Sequence, residues 1–242
     1  MSGHSKWSNI KHKKEKGDAA KANVFTKLGR EIAVCVKAGG PDPASNSRLR
    51  DIISKAKAAN MPNDNIQRSI KKASGELGSI NYEELVYEGY ASGGVAVIVE
   101  TLTDNKNRTA GDIRHCFDKC GGSMGTTGCV SYMFNRKGVI VVDGTGMEED
   151  DLMLIAIEAG ADDVITDEDN IYEVMTSYEQ YDAVKQNIEK AGLTIVSADV
   201  EYLPDNTVDI TPEVQEKLER LIDMLDDNDD VTEVYHNANL PE

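Results

Sequence analysis

Gly138-Val139-Ile140-Val141-Val142 reads as a strand, and the elements after it decide the fold. Met147 to Ala159 reads as a helix, and Asp163 to Thr166 and Ile171 to Ser177 as two strands. Glu179 to Ala191 reads as a second helix, and Leu193 to Tyr202 as a closing strand. The order β-α-β-β-α-β is that of a ferredoxin-like, split-βαβ unit. It closes at about Leu203 and leaves three elements over: Thr207 to Ile210, a helix from Pro212 to Leu225 and a strand from Val231 to His236.

Those leftovers need a sheet to join, and the preceding sequence offers one. Tyr82 to Tyr90 and Val95 to Thr101 are rich in β-branched and aromatic residues and read as strands, with Ser92-Gly93-Gly94 as the turn between them. Thr103 or Asp104 caps a helix to about Cys120, the glycine-rich Gly121 to Gly128 comes next, and Val130 to Phe134 reads as a strand. The expected middle domain is therefore α/β and split in sequence, with the ferredoxin-like unit inserted and the C-terminal elements returning to it.

Further back the pattern is helical. Asp18 is placed to cap a first helix from Ala19 to Ala38, with Phe25, Leu28, Ile32 and Val36 at helical spacing. Gly39-Gly40-Pro41-Asp42-Pro43 stops it. Ser45 or Asn46 starts a second helix that ends near Asn60, and Met61-Pro62-Asn63-Asp64 turns into a third that ends near Ser74. The fold class is α+β and multidomain: an N-terminal three-helix bundle with its arm (1–78), a middle α/β domain (79–134 with 204–242) and a ferredoxin-like domain (135–203) inserted in it.

Net charge is −17, but unevenly placed. Residues 1–80 carry 16 Lys and Arg against 7 Asp and Glu, while residues 81–242 carry 10 against 36. A basic end on an acidic chain points to a polyanion partner met end-on. The basic end begins with Gly3-His4-Ser5-Lys6-Trp7-Ser8-Asn9-Ile10-Lys11-His12-Lys13-Lys14-Glu15-Lys16, which holds the only tryptophan. Lysines neutralise phosphates, and an indole stacks on a base or sugar. The longest apolar run, Val95 to Val99, is too short for a bilayer, and no secretory h-region precedes it, so the expected location is cytoplasmic and no membrane partner is expected.

Gly3-His4-Ser5-Lys6-Trp7 with Lys11-His12-Lys13-Lys14 resembles the N-terminal signature of the YebC/PmpR family. So do Tyr87-Glu88-Gly89-Tyr90 with Gly93-Gly94, Thr103-Asp104-Asn105 with Asn107-Arg108-Thr109, and Phe134-Asn135-Arg136-Lys137-Gly138. The resemblance covers the whole chain and implies the same three-domain order. It also implies a regulator of gene expression. Bacterial members are commonly assigned as DNA-binding transcriptional regulators. Others are assigned to the ribosome, easing synthesis through proline runs, and the mitochondrial relatives activate translation.

The residues expected to meet nucleic acid are His4, Lys6, Trp7, Lys11, His12, Lys13, Lys14 and Lys16 in the arm. In the bundle they are Lys27, Arg30, Arg48, Arg50, Lys55, Lys57, Arg68, Lys71 and Lys72. Helices two and three read either as a helix-turn-helix or as a plain bundle, and Asp64 at the start of the third counts against base reading. Asn107, Arg108 and Arg114 offer a second phosphate contact at a helix start, beside the simpler reading of capping and turn structure. Cys35, Cys116, Cys120 and Cys129 read as reduced thiols in small apolar niches, not zinc ligands, since no second Cys pair completes a site. The glycine-rich loop lacks the Gly-Lys-Ser/Thr step of a phosphate loop, and the acidic cluster Asp226-Asp227-Asn228-Asp229-Asp230 reads as solvent-facing. No nucleophile with a neighbouring base is evident, so the expectation is a non-enzymatic protein without cofactor, metal or small-molecule substrate. Its partner is DNA or ribosomal RNA. The competing class is a protein-interaction adaptor whose arm is only a solubility tail.

Overall fold

The computed structural model describes residues 18–75, 81–166 and 170–239. The arm from Gly3 to Lys16 lies outside the described residues, as does the side chain of Asp18. The protein is α+β, and it divides into two compact units.

The first unit opens with α1 (Asp18–Gly39), α2 (Ser47–Ala58) and α3 (Asn63–Ser74). Leu28, Ile32 and Val36 of α1 close over Leu49 and Ile52 of α2 and Ile66 and Ile70 of α3, so both short helices pack on the long one. Asn46, not Ser45, is the cap of α2. Its side-chain oxygen accepts from Leu49 N at 3.0 Å while its amide donates to the carbonyls of Cys35 (2.8 Å) and Gly40 (2.9 Å). One buried side chain thus ties the end of α1 to the start of α2, which a serine is too short and has too few donors to do.

The same unit carries an antiparallel sheet in the order β3 (Ser123–Met124), β1 (Glu83–Tyr90), β2 (Ala96–Thr103), β9 (Val231–His236). β1 and β2 pair along their full length. β9 returns from the C-terminus to lie against β2, as the pattern predicts. α4 (Lys106–Lys119) and α7 (Pro212–Asp226) pack together, burying Ile113, Phe117, Leu218, Leu221 and Leu225.

The glycine-rich loop is folded back on this sheet. Its β3 (Ser123–Met124) pairs with β1, and the buried Glu88 carboxylate accepts from Gly128 N (2.7 Å) and Val130 N (2.8 Å). With its amides held there, the expected strand over 130–134 does not form: Ser131–Met133 is a 3-10 turn, and the next strand starts at Phe134 in the other unit. A side chain at Gly89 would meet Ser123 O at 2.6 Å and the Phe117 ring at 2.9 Å. Gly89→Ala should lower stability by about 1–3 kcal/mol, read as a lower denaturant midpoint at unchanged slope.

The second unit is ferredoxin-like. β4 (Phe134–Asp143), α5 (Glu149–Ala159), β5 (Asp163–Thr166), β6 (Ile171–Ser177), α6 (Tyr181–Lys190) and β7 (Thr194–Pro204) form an antiparallel sheet, order β5-β6-β4-β7, with its two helices. Ile140, Val142, Tyr172 and Val174 face Leu152, Ala156, Val184 and Ile188 of those helices. Arg136 lies between the rings of Tyr178 (4.6 Å) and Tyr202 (5.5 Å). In sequence the unit is inserted between β1–β2 and β9 of the first sheet. Residues 207–210 do not join that sheet: β8 (Val208–Asp209) pairs in parallel with β10 (Ala238–Asn239), held by Val208 N donating to Asn237 O at 2.8 Å.

Candidate nucleic-acid interface

The bundle's cations divide into two groups by what they touch. Asn23, Lys27 and Arg30 recur at i, i+4 and i+7 on α1, one face of the helix. That face meets the end of α7. Asn23 Nδ2 donates to the carbonyls of Asp227 (2.9 Å) and Asp226 (3.3 Å), and Lys27 Nζ donates to Asp226 O. Cations and amide donors at a helix C-terminus satisfy its orphan carbonyls and oppose its dipole.

Arg30 goes deeper. Its guanidinium donates to Asp229 O at 2.7 Å and pairs with the Asp230 carboxylate. Asp230 is 2 % exposed. Thr109 (2.7 Å) and Thr103 (3.2 Å) donate their hydroxyls to it, and Arg108 Nη2 bridges both its oxygens at 2.7 and 3.0 Å. Burial works against the charge on Asp230, but the bonds from Arg108, Thr109 and Arg30 outweigh it and hold the carboxyl below its ordinary range. The expectation of a solvent-facing acidic run is therefore corrected at Asp230, which is the buried anchor of α1, α4 and β9.

The same node revises the basic set. Lys27 and Arg30 point inward, and Arg108 is committed to Asp230 and, at 2.9 Å, to Asp104. The start of α4 is capped by Asn105, neither Thr103 nor Asp104, and Asn105 Oδ1 accepts from Arg108 N at 3.2 Å. Asn105 thus caps the first turn of α4, and the Arg108 side chain is held by carboxylates of the fold and not free for a phosphate. Asn107 and Arg114 remain exposed on α4. Arg48 pairs with Glu84, and Lys55 reaches Glu233 at 3.7 Å.

The second group faces water. Arg50 and Lys57 are exposed and share a face of α2. Arg68, Lys71 and Lys72 are exposed at i, i+3 and i+4 on α3. Asp64 sits one turn before Arg68 on that face, and Asn65 is half-buried, so α3 presents charge for a backbone more than edges for bases. His4, Lys6, Trp7, Lys11, His12, Lys13, Lys14 and Lys16 belong to the arm, outside the described residues.

The thiols do not form a reactive centre. Burial pushes the Cys35 thiol up to about 11 and raises Cys116 and Cys129 as well, so these thiols stay neutral near pH 7. Among the described residues no three His, Cys, Asp or Glu side chains come together as metal ligands.

The profile of the TACO1/YebC N-terminal domain matches residues 5–76, and that of the TACO1/YebC second and third domain matches residues 82–238. The chain belongs to the TACO1/YebC family. A probable transcriptional regulatory protein of Acetivibrio thermocellus is 59 % identical over 239 residues, covering 98 % of each chain. One of Clostridium botulinum is 55 % identical over 242 residues, covering 100 % of this chain and 98 % of its own. The crystal structure of a conserved hypothetical protein from Aquifex aeolicus superposes with a TM-score of 0.86 at 47 % identity, covering 98 % of each chain. Among the described residues no helix is long and apolar enough to cross a membrane.

Two organising residues do not stand out in the sequence. Glu88 is visible there only as part of a motif, and Asp230 only as one acid among five residues. The signal for Asp230 lies on α1: an amide and two cations in register on a helical face are a docking stripe for carbonyls and carboxylates.

Proposed function

We propose that the protein is a non-enzymatic, nucleic-acid-binding regulator of gene expression, working as a DNA-binding transcriptional regulator. The basic arm and, separately, the outward faces of α2 and α3 supply its contacts to nucleic acid. The observation that carries this reading is the sorting of the bundle's charges. Lys27 and Arg30 are committed inside the fold, whereas Arg50, Lys57, Arg68, Lys71 and Lys72 stand exposed, and the arm adds five lysines in sequence. Exposed lysines and arginines on neighbouring helices position a phosphate backbone. The names of the relatives favour transcription as the setting.

A second reading has its own support. Asp64 at the start of α3 and the half-buried Asn65 leave that helix poorly suited to a duplex major groove. Structured RNA, bound through charge and shape, asks less of it, which favours a ribosome-bound role in translation.

Retention of the full chain on duplex DNA and on structured RNA, titrated with salt, tests the shared part. Deleting residues 2–16 should weaken retention at least about tenfold and flatten its salt dependence. Trp7→Ala should cost about 1–3 kcal/mol of binding at unchanged net charge, the worth of one stacked base. A truncated chain that elutes with the full one would exclude the arm. Crosslinking in cells separates the settings: recovery of ribosomal RNA without promoter DNA would sink the transcriptional reading, and the reverse would sink the translational one.

A further inference from the structure

Helix α5 is apolar almost all round. Leu152-Met153-Leu154-Ile155-Ala156-Ile157 runs without a polar residue, a composition that normally marks a helix covered on every side. Here only one side is covered. Leu152 and Ala156 are fully buried against the sheet and α6, while Leu154 and Ile157, one turn apart on the opposite face, are 56 % and 59 % exposed. Met147, just before the helix, and Ile165, on the edge strand β5, are exposed as well.

The rim of this face is acidic. Asp150 and Asp151 precede Leu154 by one turn, Glu158 follows Ile157, and Asp162 and Asp163 come next in the chain, all exposed. α5 itself contains no Lys or Arg. Residues 131–210 as a whole carry nineteen Asp or Glu against four Lys or Arg. Nucleic acid and anionic lipid are repelled by such a field. A second copy of the same face would bring like charges together.

We propose that this face of α5 docks a basic amphipathic helix of a partner protein. The partner's apolar stripe would cover Leu154 and Ile157, and its lysines or arginines would meet the carboxylates around them. The inference goes beyond nucleic-acid binding and stands on a helix that the nucleic-acid reading does not use. It gives the molecule two regions of opposite appetite: a basic one for a polyanion and an acidic one for a cationic protein.

The probe is a labelled fourteen-residue peptide of leucine and lysine only, with Leu at i, i+3, i+4 and i+7. Its control has the same composition with the leucines dispersed. Fluorescence anisotropy against the full chain should give saturable binding of the ordered peptide and about tenfold or more weaker binding of the control. Leu154→Ser combined with Ile157→Ser should weaken the ordered peptide by about tenfold or more, since a central apolar anchor carries most of such an interface. Both side chains are exposed, so the melting temperature should not change. Asp150→Asn, Asp151→Asn and Glu158→Gln together should flatten the salt dependence of peptide binding. Equal binding of both peptides, or an indifferent double-serine variant, would overturn the proposal. So would a concentration-dependent self-association that the double-serine variant abolishes. So would a tenfold gain in peptide affinity on Lys11→Gln, Lys13→Gln and Lys14→Gln, which would make the protein's own arm the occupant. Nucleic-acid retention of the double-serine variant should equal that of the parent. Failure of the parent to bind nucleic acid at all would instead count against the proposed function and leave this inference standing.

Discussion

Asp230→Ala is expected to lower stability by about 3–5 kcal/mol, the cost of removing one partner from a buried, hydrogen-bonded ion pair. The loss is large because the carboxylate serves several donors at once. Arg30, 18 % exposed, would be left as a poorly hydrated cation, and the Thr103 and Thr109 hydroxyls would lose their acceptor. Arg108 is 45 % exposed, so water takes over part of its share. Asp230→Asn keeps the shape and one acceptor and should recover part of the difference. Denaturant melts read both. The pH dependence has a definite sign. The folded-state carboxyl lies below its ordinary value of 3.8, so the unfolded chain takes up the proton first as pH falls. The stabilisation from this group is therefore complete well above pH 4 and drains away as pH drops through the lower folded value. Asp230→Asn should flatten that acid limb and leave the neutral-to-alkaline plateau parallel to the parent's.

The elements that are legible in the sequence are those whose signal is local. β5, β6 and β9 have the predicted ends, because each is a short run of strand-forming residues whose signal lies within the run itself. The ferredoxin-like order follows from such runs alone. The illegible features depend on partners far along the chain. A run of four aspartates and an asparagine reads as solvated by composition, and nothing near it says that the last is buried. That is decided by Arg30, Thr103, Arg108 and Thr109, all more than a hundred residues earlier. The strand expected at 130–134 fails for the same reason. Its apolar residues allow a strand, but Glu88 on a distant strand holds the amides of Gly128 and Val130 and fixes a turn. The bundle's cations read as one class on the same account: a lysine in a sequence does not disclose whether its carboxylate or carbonyl lies two hundred residues away.

That distinction between inward and outward cations has a measurable consequence. Replacing Arg68, Lys71 and Lys72 together with Gln should lower the slope of log affinity against log salt by about 2–3, at about 0.7–0.9 for each phosphate no longer neutralised. Affinity for duplex DNA or structured RNA at about 0.1 M salt should fall more than about tenfold. The melting temperature should stay near the parent's, because all three side chains stand in water on α3. Arg30→Gln removes one charge of the same sign from the same bundle and should do the opposite. It unpairs Asp230, lowers the melting temperature and, wherever the variant is folded, leaves the salt slope intact. The pair of results is diagnostic, since a generic effect of net charge would move both slopes alike. Equal slopes for the α3 triple variant and the parent would remove α3 from the interface, and the arm would then account for the binding alone. A reduced slope for Arg30→Gln at full foldedness would mean that Arg30 leaves Asp230 when the polyanion arrives. The ion pair would then be a latch that nucleic acid opens.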